Sequence, residues 1–294
     1  MSRHCEEPKA TKQSLQVEPF FMFDLGAREK PILKWAGGKS GLLPQLLPRF
    51  PRGFKRYLEP FFGGGAVFFS LQPGVRAIVN DSNRELIDLY EAIRDTPEEL
   101  MAELDRLARR YCEGFYYELR ASGPGSRVAR AARTLFLNKT GYNGLYRQNS
   151  KGGFNVPFGK RRRCPALYER ANLLRVSERL AQAELVHGDF EAILRRARRG
   201  DFVYCDPPYE PLSTTSSFNC YLASGFTWRE QVRLRDAAEK AARRGAVVMI
   251  SNSSAPLIPH LYGDWPMHRI SARREINSKA SGRGEIAELC IVLG

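Results

Sequence analysis

The chain is poor in the residues that build metal centres and disulfide frameworks. Its 294 residues include only four histidines, scattered at 4, 187, 260 and 268, and six cysteines at 5, 112, 164, 205, 220 and 290 with no C-x-x-C pair. Zinc sites and disulfide scaffolds need closely spaced ligands or a spacing framework, so both are argued against, and free thiols in a reducing compartment are expected. No stretch approaches the roughly 18 consecutive apolar residues of a membrane span, and Met1-Ser2-Arg3-His4-Cys5-Glu6-Glu7 lacks the apolar core of a secretion signal. A cytoplasmic protein without metal or membrane partners is the expectation. Apolar residues as a whole are not scarce: at 43% they suffice for an ordinary core, which rules out bulk disorder. The length suits one large domain or two modest ones.

Acidic residues are missing where basic ones abound. The formal charge is +14. Between 120 and 183 there are 14 basic residues and only two acidic ones, Glu169 and Glu178. Such a block, with Lys160-Arg161-Arg162-Arg163 inside it, is the footprint of a surface that meets phosphates and displaces their counterions. A solvated helical face is the alternative, because net charge speaks to partners and not to fold.

Short apolar runs at 57–59, 77–80, 184–187, 202–205, 246–250 and 288–293, bounded by Gly, Pro or Asp, read as buried strands of a helix-covered sheet. Leu86, Leu89, Tyr90 and Ile93, then Leu100, Leu104 and Leu107, recur at helical spacing, and 228–243 is rich in Ala, Arg and Glu. Strand alternating with helix predicts an α/β fold. Residues 85–183 break the alternation and read as a helical insertion, with turns at 121–126 and 149–153. The first 27 residues carry little pattern and are expected to be a flexible arm. There is no internal repeat.

The sharpest motif is Asp206-Pro207-Pro208-Tyr209, directly after the run 202–205. Two prolines cannot donate to a sheet ladder, so the strand stops and presents Asp206 and Tyr209 at its carboxyl end, where open α/β sheets bind ligands. A carboxylate beside a backbone carbonyl can accept both hydrogens of an exocyclic amine, and the tyrosine offers a stacking face. An ordinary Pro-Pro turn with a surface acid is the alternative.

Upstream, Glu59-Pro60-Phe61-Phe62-Gly63-Gly64-Gly65 follows another strand, and Asp81 ends the next one. A glycine turn with a later acid is nucleoside-binding geometry, the carboxylate taking a ribose diol. A dinucleotide fingerprint would need Gly or Ala at 68, where Phe68 stands, and a phosphate loop ending at Gly38-Lys39-Ser40 would need Gly at 33, where Leu33 stands. Asp189 follows a further strand and alone reads as a helix N-cap. Acids at four strand ends, Glu59, Asp81, Asp189 and Asp206, with Phe190 beside one, describe a pocket for an adenosyl cofactor better than any single residue does.

These blocks, together with Leu33-Lys34-Trp35-Ala36-Gly37-Gly38-Lys39 and Asn138-Lys139-Thr140-Gly141-Tyr142-Asn143-Gly144-Leu145-Tyr146-Arg147 followed by Phe154-Asn155-Val156-Pro157-Phe158-Gly159, resemble the Dam-type DNA adenine-N6 methyltransferases in order and over nearly the whole chain. The resemblance implies a Rossmann-like methyltransferase sheet, formed by 28–84 and 184–294, and a target-recognition domain at 85–183. It implies S-adenosylmethionine as methyl donor, with Trp35, Lys39, Asp81 and Asp206 at the family's cofactor positions and Glu59, Phe61, Gly63, Asp189 and Phe190 as further lining. It also implies double-stranded DNA as partner, faced by Lys34, Tyr142, Asn143, Leu145, Arg147 and Pro157, a GATC target, and a monomer. The segment departs from the family's commonest spelling at Lys139-Thr140, Tyr146 and Gln148.

The expected chemistry starts from a base flipped out of the duplex, with Tyr142 and Leu145 as the wedge that fills the gap. The base stacks on Tyr209 and donates hydrogen bonds from its amino group to Asp206 and the Pro207 carbonyl; transfer is an in-line displacement for which the site supplies alignment and electrostatics, with no separate enzyme base required before attack. Arg147 suits a guanine edge, Lys34 a second one, and the stretch from Arg273 to Arg283 a backbone clamp. An RNA or other planar-amine methylase and a catalytically silent DNA-binding regulator remain as alternatives at this point.

Overall fold

The runs read as strands fall into a single sheet of seven. The computed structural model describes residues 29–123, 125–149, 152–209, 226–263, 265–273 and 285–294. The arm at 1–27, the clamp positions 274–283, Cys5 and Cys220 lie outside them. The strands are β1 (Arg56–Glu59), β2 (Ala77–Asp81), β3 (Ala183–His187), β4 (Asp201–Cys205), β5 (Val247–Ser253), β6 (Met267–Arg273) and β7 (Glu285–Leu293), in the order β3-β2-β1-β4-β5-β7-β6. The first five are parallel, and β7 runs antiparallel between β5 and β6.

Burial on both faces explains why the parallel strands are apolar throughout. Successive side chains alternate between two cores: Tyr57, Phe202 and Tyr204 point to one, Leu58, Val203 and Cys205 to the other. At the amino ends of β1 and β4 a bidentate pair ties the strands together, Arg56 Nε and NH2 lying 3.1 and 2.6 Å from the two oxygens of buried Asp201. The chain leaves β1 toward β2 and leaves β4 toward β5, so the connections diverge between two neighbouring strands. That divergence opens a crevice at their carboxyl ends, the place where open α/β sheets hold ligands.

β6 carries no strand signal in its own sequence. Its residues Met267-His268-Arg269-Ile270-Ser271 carry little apolar character because the strand is an edge, paired among the described residues only with β7 and leaving His268 and Arg269 exposed.

On the first core face sit α1 (Leu43–Leu46), α2 (Arg84–Asp95), α3 (Pro97–Arg109), α4 (Glu113–Ala121), α5 (Arg127–Thr140) and α6 (Arg170–Leu180). Between α5 and α6 the chain makes a short hairpin held by bridges Gly141↔Phe158 and Gln148↔Phe154. The opposite face is covered by α7 (Phe190–Arg195), α8 (Trp228–Arg243) and α9 (Leu257–Tyr262).

The structure narrows the basic footprint. Arg127 pairs with Glu91 and Asp95, Arg130 with Asp88, Arg133 with Glu85, and Arg170 with Glu98. Buried Arg179 donates to the Leu71 carbonyl. The partner acids lie on α2 and α3, outside the window where the charges were counted, so these arginines wire the helices together. The run Lys160, Arg161, Arg162 and Arg163 stays exposed.

Candidate active site

The crevice beyond β1, β2 and β4 is a cavity of about 760 Å³, and the 206–209 corner forms part of its wall. The corner is fixed from three directions. Gln231 of α8, itself buried, donates Nε2 to the Pro208 carbonyl at 3.0 Å. The Tyr209 hydroxyl donates to Glu288 Oε2 of β7 at 2.7 Å. The Lys39 ammonium lies 2.7 Å from Asp206 Oδ1, donates to the Gly37 carbonyl at 2.8 Å and stands 4.8 Å from the centre of the Tyr209 ring. Among the described residues, no hydrogen bond engages the Pro207 carbonyl. Burial pushes the Asp206 carboxyl above its ordinary range, and the Lys39 ammonium opposes that rise.

Glu59 and Asp81 end β1 and β2 on the same side. Glu59 is buried, accepts from the Tyr57 hydroxyl at 3.0 Å, and is pushed well above the usual carboxylate range by burial, with Asp206 and Asp81 adding repulsion. Asp81 accepts the Gly63 N–H on one oxygen and the Asn83 N–H on the other, both at 2.9 Å. A carboxylate offers about four lone-pair sites, so two backbone bonds do not exhaust it. The glycine turn is shaped around Trp35: Gly63 has φ +48°, and a Cβ there would stand 2.8 Å from the indole. Only glycine meets both conditions without strain.

Asp189 caps α7, accepting from Glu191 N at 2.9 Å, and pairs with Arg233 at 3.0 Å while lining the cavity. Phe190 is buried and stacks on Phe61 with centroids 5.2 Å apart. Phe226 closes the group at 5.7 Å from each.

Against this geometry, the model of the D12 class N6 adenine-specific DNA methyltransferases matches residues 35–276. The chain belongs to that family. It is 42% identical over 270 residues to a type II methyltransferase of Lactococcus lactis subsp. cremoris, covering 89% of this chain and 94% of the relative. A type II methyltransferase of Methanocaldococcus jannaschii is 38% identical over 285 residues, covering 90% and 98%. The DNA adenine methylase of Escherichia coli K12 is 35% identical over 266 residues, covering 89% and 94%. The protein is an adenine-specific DNA methyltransferase on a Rossmann-like α/β sheet.

Of the second group of sequence candidates, Arg147 lines the cavity, while Lys34 and the hairpin residues Tyr142, Asn143, Leu145 and Pro157 lie outside its lining. Buried Asn138 at the end of α5 staples two distant segments: its Nδ2 donates to the Lys34 and Gly144 carbonyls at 2.9 Å each, and its Oδ1 accepts from Lys34 N at 3.2 Å. Asn143 and Gly144 adopt φ +54° and +66°, a left-handed turn in the first arm of the hairpin, between its two bridges. Tyr142 is 54% exposed, whereas Leu145 is half-buried against the core. Arg147 is exposed on the cavity wall, where Asn155 Oδ1 receives its Nε at 2.7 Å. Exposed Pro157 accepts the Tyr142 N–H at 2.8 Å.

Tyr146 and Phe226, which line the cavity, and Gln231 and Glu288, which hold the corner, are not singled out by the sequence alone. Tyr146 lies 4.9 Å from Trp35 and donates to Glu85 at 2.8 Å. Its only signal was the unusual spelling at that position. Phe226 stands far from any motif, and Gln231 sits unremarked in a polar helix. Glu288 left a trace, as an acid heading the apolar run Leu289-Cys290-Ile291-Val292-Leu293.

Proposed function

We propose that the enzyme transfers a methyl group from S-adenosylmethionine to the N6 amine of an adenine extruded from duplex DNA, within GATC. The observation that carries this reading is the 206–209 corner on the wall of the cavity, already holding an amine. The Lys39 ammonium sits on the two features that an adenine amine would use, the Asp206 carboxylate and the face of Tyr209. A base entering the corner must displace that ammonium.

The donor suits the residues present. A cavity of about 760 Å³ falls within the ~300–1,000 Å³ of small-molecule sites. Its acids complement a cationic donor, the Gly63 turn leaves room for close approach, and Phe61 and Phe190 present apolar faces to a purine. Trp35, Glu59 and Asp81 would hold the rest of the molecule, with Asp189 at the rim. When bound, the donor supplies a methyl on positively charged sulfur.

The chain's own residues do the remainder. Asp206 and the Pro207 carbonyl accept the two amino hydrogens, drawing the nitrogen lone pair out of conjugation with the ring. Tyr209 fixes the plane of the base. As the bond from methyl to sulfur gives way to the bond to nitrogen, the nitrogen gains positive charge that the Asp206 carboxylate stabilises without reorganising, and the same carboxylate can accept the proton the nitrogen then sheds. On the DNA side, Tyr142 is the free wedge of the two candidates, while Leu145 contributes packing. Arg147 and Lys34 read guanines, each good bidentate contact being worth ~1–3 kcal/mol of discrimination.

The test is a plasmid modified by the purified enzyme and then digested with nucleases sensitive to adenine methylation in GATC. Protection at every GATC is the expected result. Protection at another sequence overturns the target, and an unprotected plasmid without label from a tritiated donor overturns the reaction.

A further inference from the structure

Glu288 is an acid on a strand that otherwise packs like a core strand. It lies on β7, paired on both edges, opposite Ser253 of β5 and Ile270 of β6. Its side chain is only 15% exposed, and burial holds its carboxyl above the ordinary range. An apolar residue of similar volume would serve the strand at least as well, since buried charges are costly unless well paired. Among the described residues, the polar contacts of the Glu288 side chain lead to the corner: Oε2 accepts the Tyr209 hydroxyl at 2.7 Å and lies 4.0 Å from the Lys39 ammonium.

The corner needs such a brace. Two prolines and Gln231 fix the backbone at 207–208, but nothing in the backbone fixes the two side-chain torsions of Tyr209. A bond at the far end of the ring, made to the doubly paired strand, constrains both.

We propose that Glu288 is a positioning residue that locks the Tyr209 ring as the stacking face for the target adenine. This rests on the reading of 206–209 as the amine-binding corner. The acceptor atom matters more than the charge, because a phenol donates equally well to an amide oxygen.

The experiment measures single-turnover transfer of tritiated methyl from S-adenosylmethionine to unmethylated plasmid DNA. Glu288→Leu should lower the rate about tenfold, with the half-saturating plasmid and donor concentrations changed less than about twofold. Glu288→Gln should recover the rate to within about threefold of wild type. In a Tyr209→Phe background, which keeps the ring and removes the hydroxyl, Glu288→Leu should add less than about twofold, as expected when two residues act through one contact. If the leucine variant does not fold, Glu288→Asp, one methylene too short to reach the phenol, takes its place with the same expectations. A wild-type rate for Glu288→Leu, a glutamine variant as slow as the leucine one, or an undiminished deficit in the Tyr209→Phe background overturns the proposal. Tyr209→Ala separates the two levels. If it too is fast, the reading of the corner has failed; if it is crippled while Glu288→Leu is fast, only the brace has.

Discussion

Replacing Asp206 by asparagine keeps the shape of the corner and removes one charge. The loss acts first on Lys39, whose side chain is 4% exposed and whose ammonium lies 2.7 Å from the lost oxygen. At an effective dielectric of about 20 that pair carries roughly 6 kcal/mol of Coulomb energy, much of it cancelled by desolvation. Removing one partner of a buried pair typically costs ~3–5 kcal/mol. Two features soften the loss here. Glu288 remains 4.0 Å from the ammonium as a second counter-charge, and Glu59 is relieved of its repulsion from Asp206. A net loss of about 1–3 kcal/mol follows, which lowers the melting temperature by several degrees. Catalysis suffers more. The carboxylate faces the nitrogen that becomes positive, and removing one such preorganised electrostatic partner costs about a hundred- to a thousandfold in rate. The assay is single-turnover methyl incorporation beside a filter-binding measurement of DNA affinity and a thermal melt. The rate should fall by that factor while DNA affinity changes less than about tenfold. An asparagine variant within about threefold of the wild-type rate would mean that the Asp206 charge does not act on the reacting nitrogen.

Gly63→Ala forces φ +48° on a residue with a Cβ and drives that carbon against the Trp35 indole, so calorimetry with S-adenosylhomocysteine should show binding weakened at least about tenfold. Asn138→Ala removes three hydrogen bonds that join Lys34 to the hairpin; at about 1 kcal/mol each the fold loses ~2–3 kcal/mol in denaturant titration, and discrimination between target and non-target duplexes declines. Arg147→Ala should relax the choice of base at one position of the target, scored by methylation of single-substitution oligonucleotides; equal weakening on all of them would make Arg147 a phosphate contact. Because burial raises the folded-state pKa of Glu59, the native state binds the extra proton, so Glu59 favours folding below its unfolded pKa and loses that contribution as pH rises through the folded one. Glu59→Gln should therefore raise the neutral-pH melting temperature and flatten its decline with pH, and an unchanged slope would contradict the assignment.

What was legible in the sequence was whatever local chemistry dictates. The run 202–205 followed by two prolines has one physical reading, a buried strand that stops, and β4 ends at Cys205. Trp228–Arg243 forms one helix where its composition suggested one. Asp189 caps α7, as an isolated acid after a strand tends to. What was not legible depends on partners distant in the chain. The edge strand β6 is a strand because β7 lies beside it, and its own residues do not announce it. Arg127, Arg130, Arg133 and Arg170 look like part of a nucleic-acid surface because their acids, Glu85, Asp88, Glu91, Asp95 and Glu98, lie outside the same stretch. Tyr209 was read as a ring and an acid's neighbour, but the carboxylate that holds it stands 79 positions away.

The most direct measurement is a crystal structure of the enzyme with S-adenosylhomocysteine and a duplex carrying its target. The adenine N6 should lie within about 3.2 Å of both an Asp206 oxygen and the Pro207 carbonyl, with its ring over Tyr209 and the Lys39 ammonium displaced from the 2.7 Å contact it makes with Asp206 in the free enzyme. A flipped base seated elsewhere, with Lys39 still bound to Asp206, would contradict that arrangement.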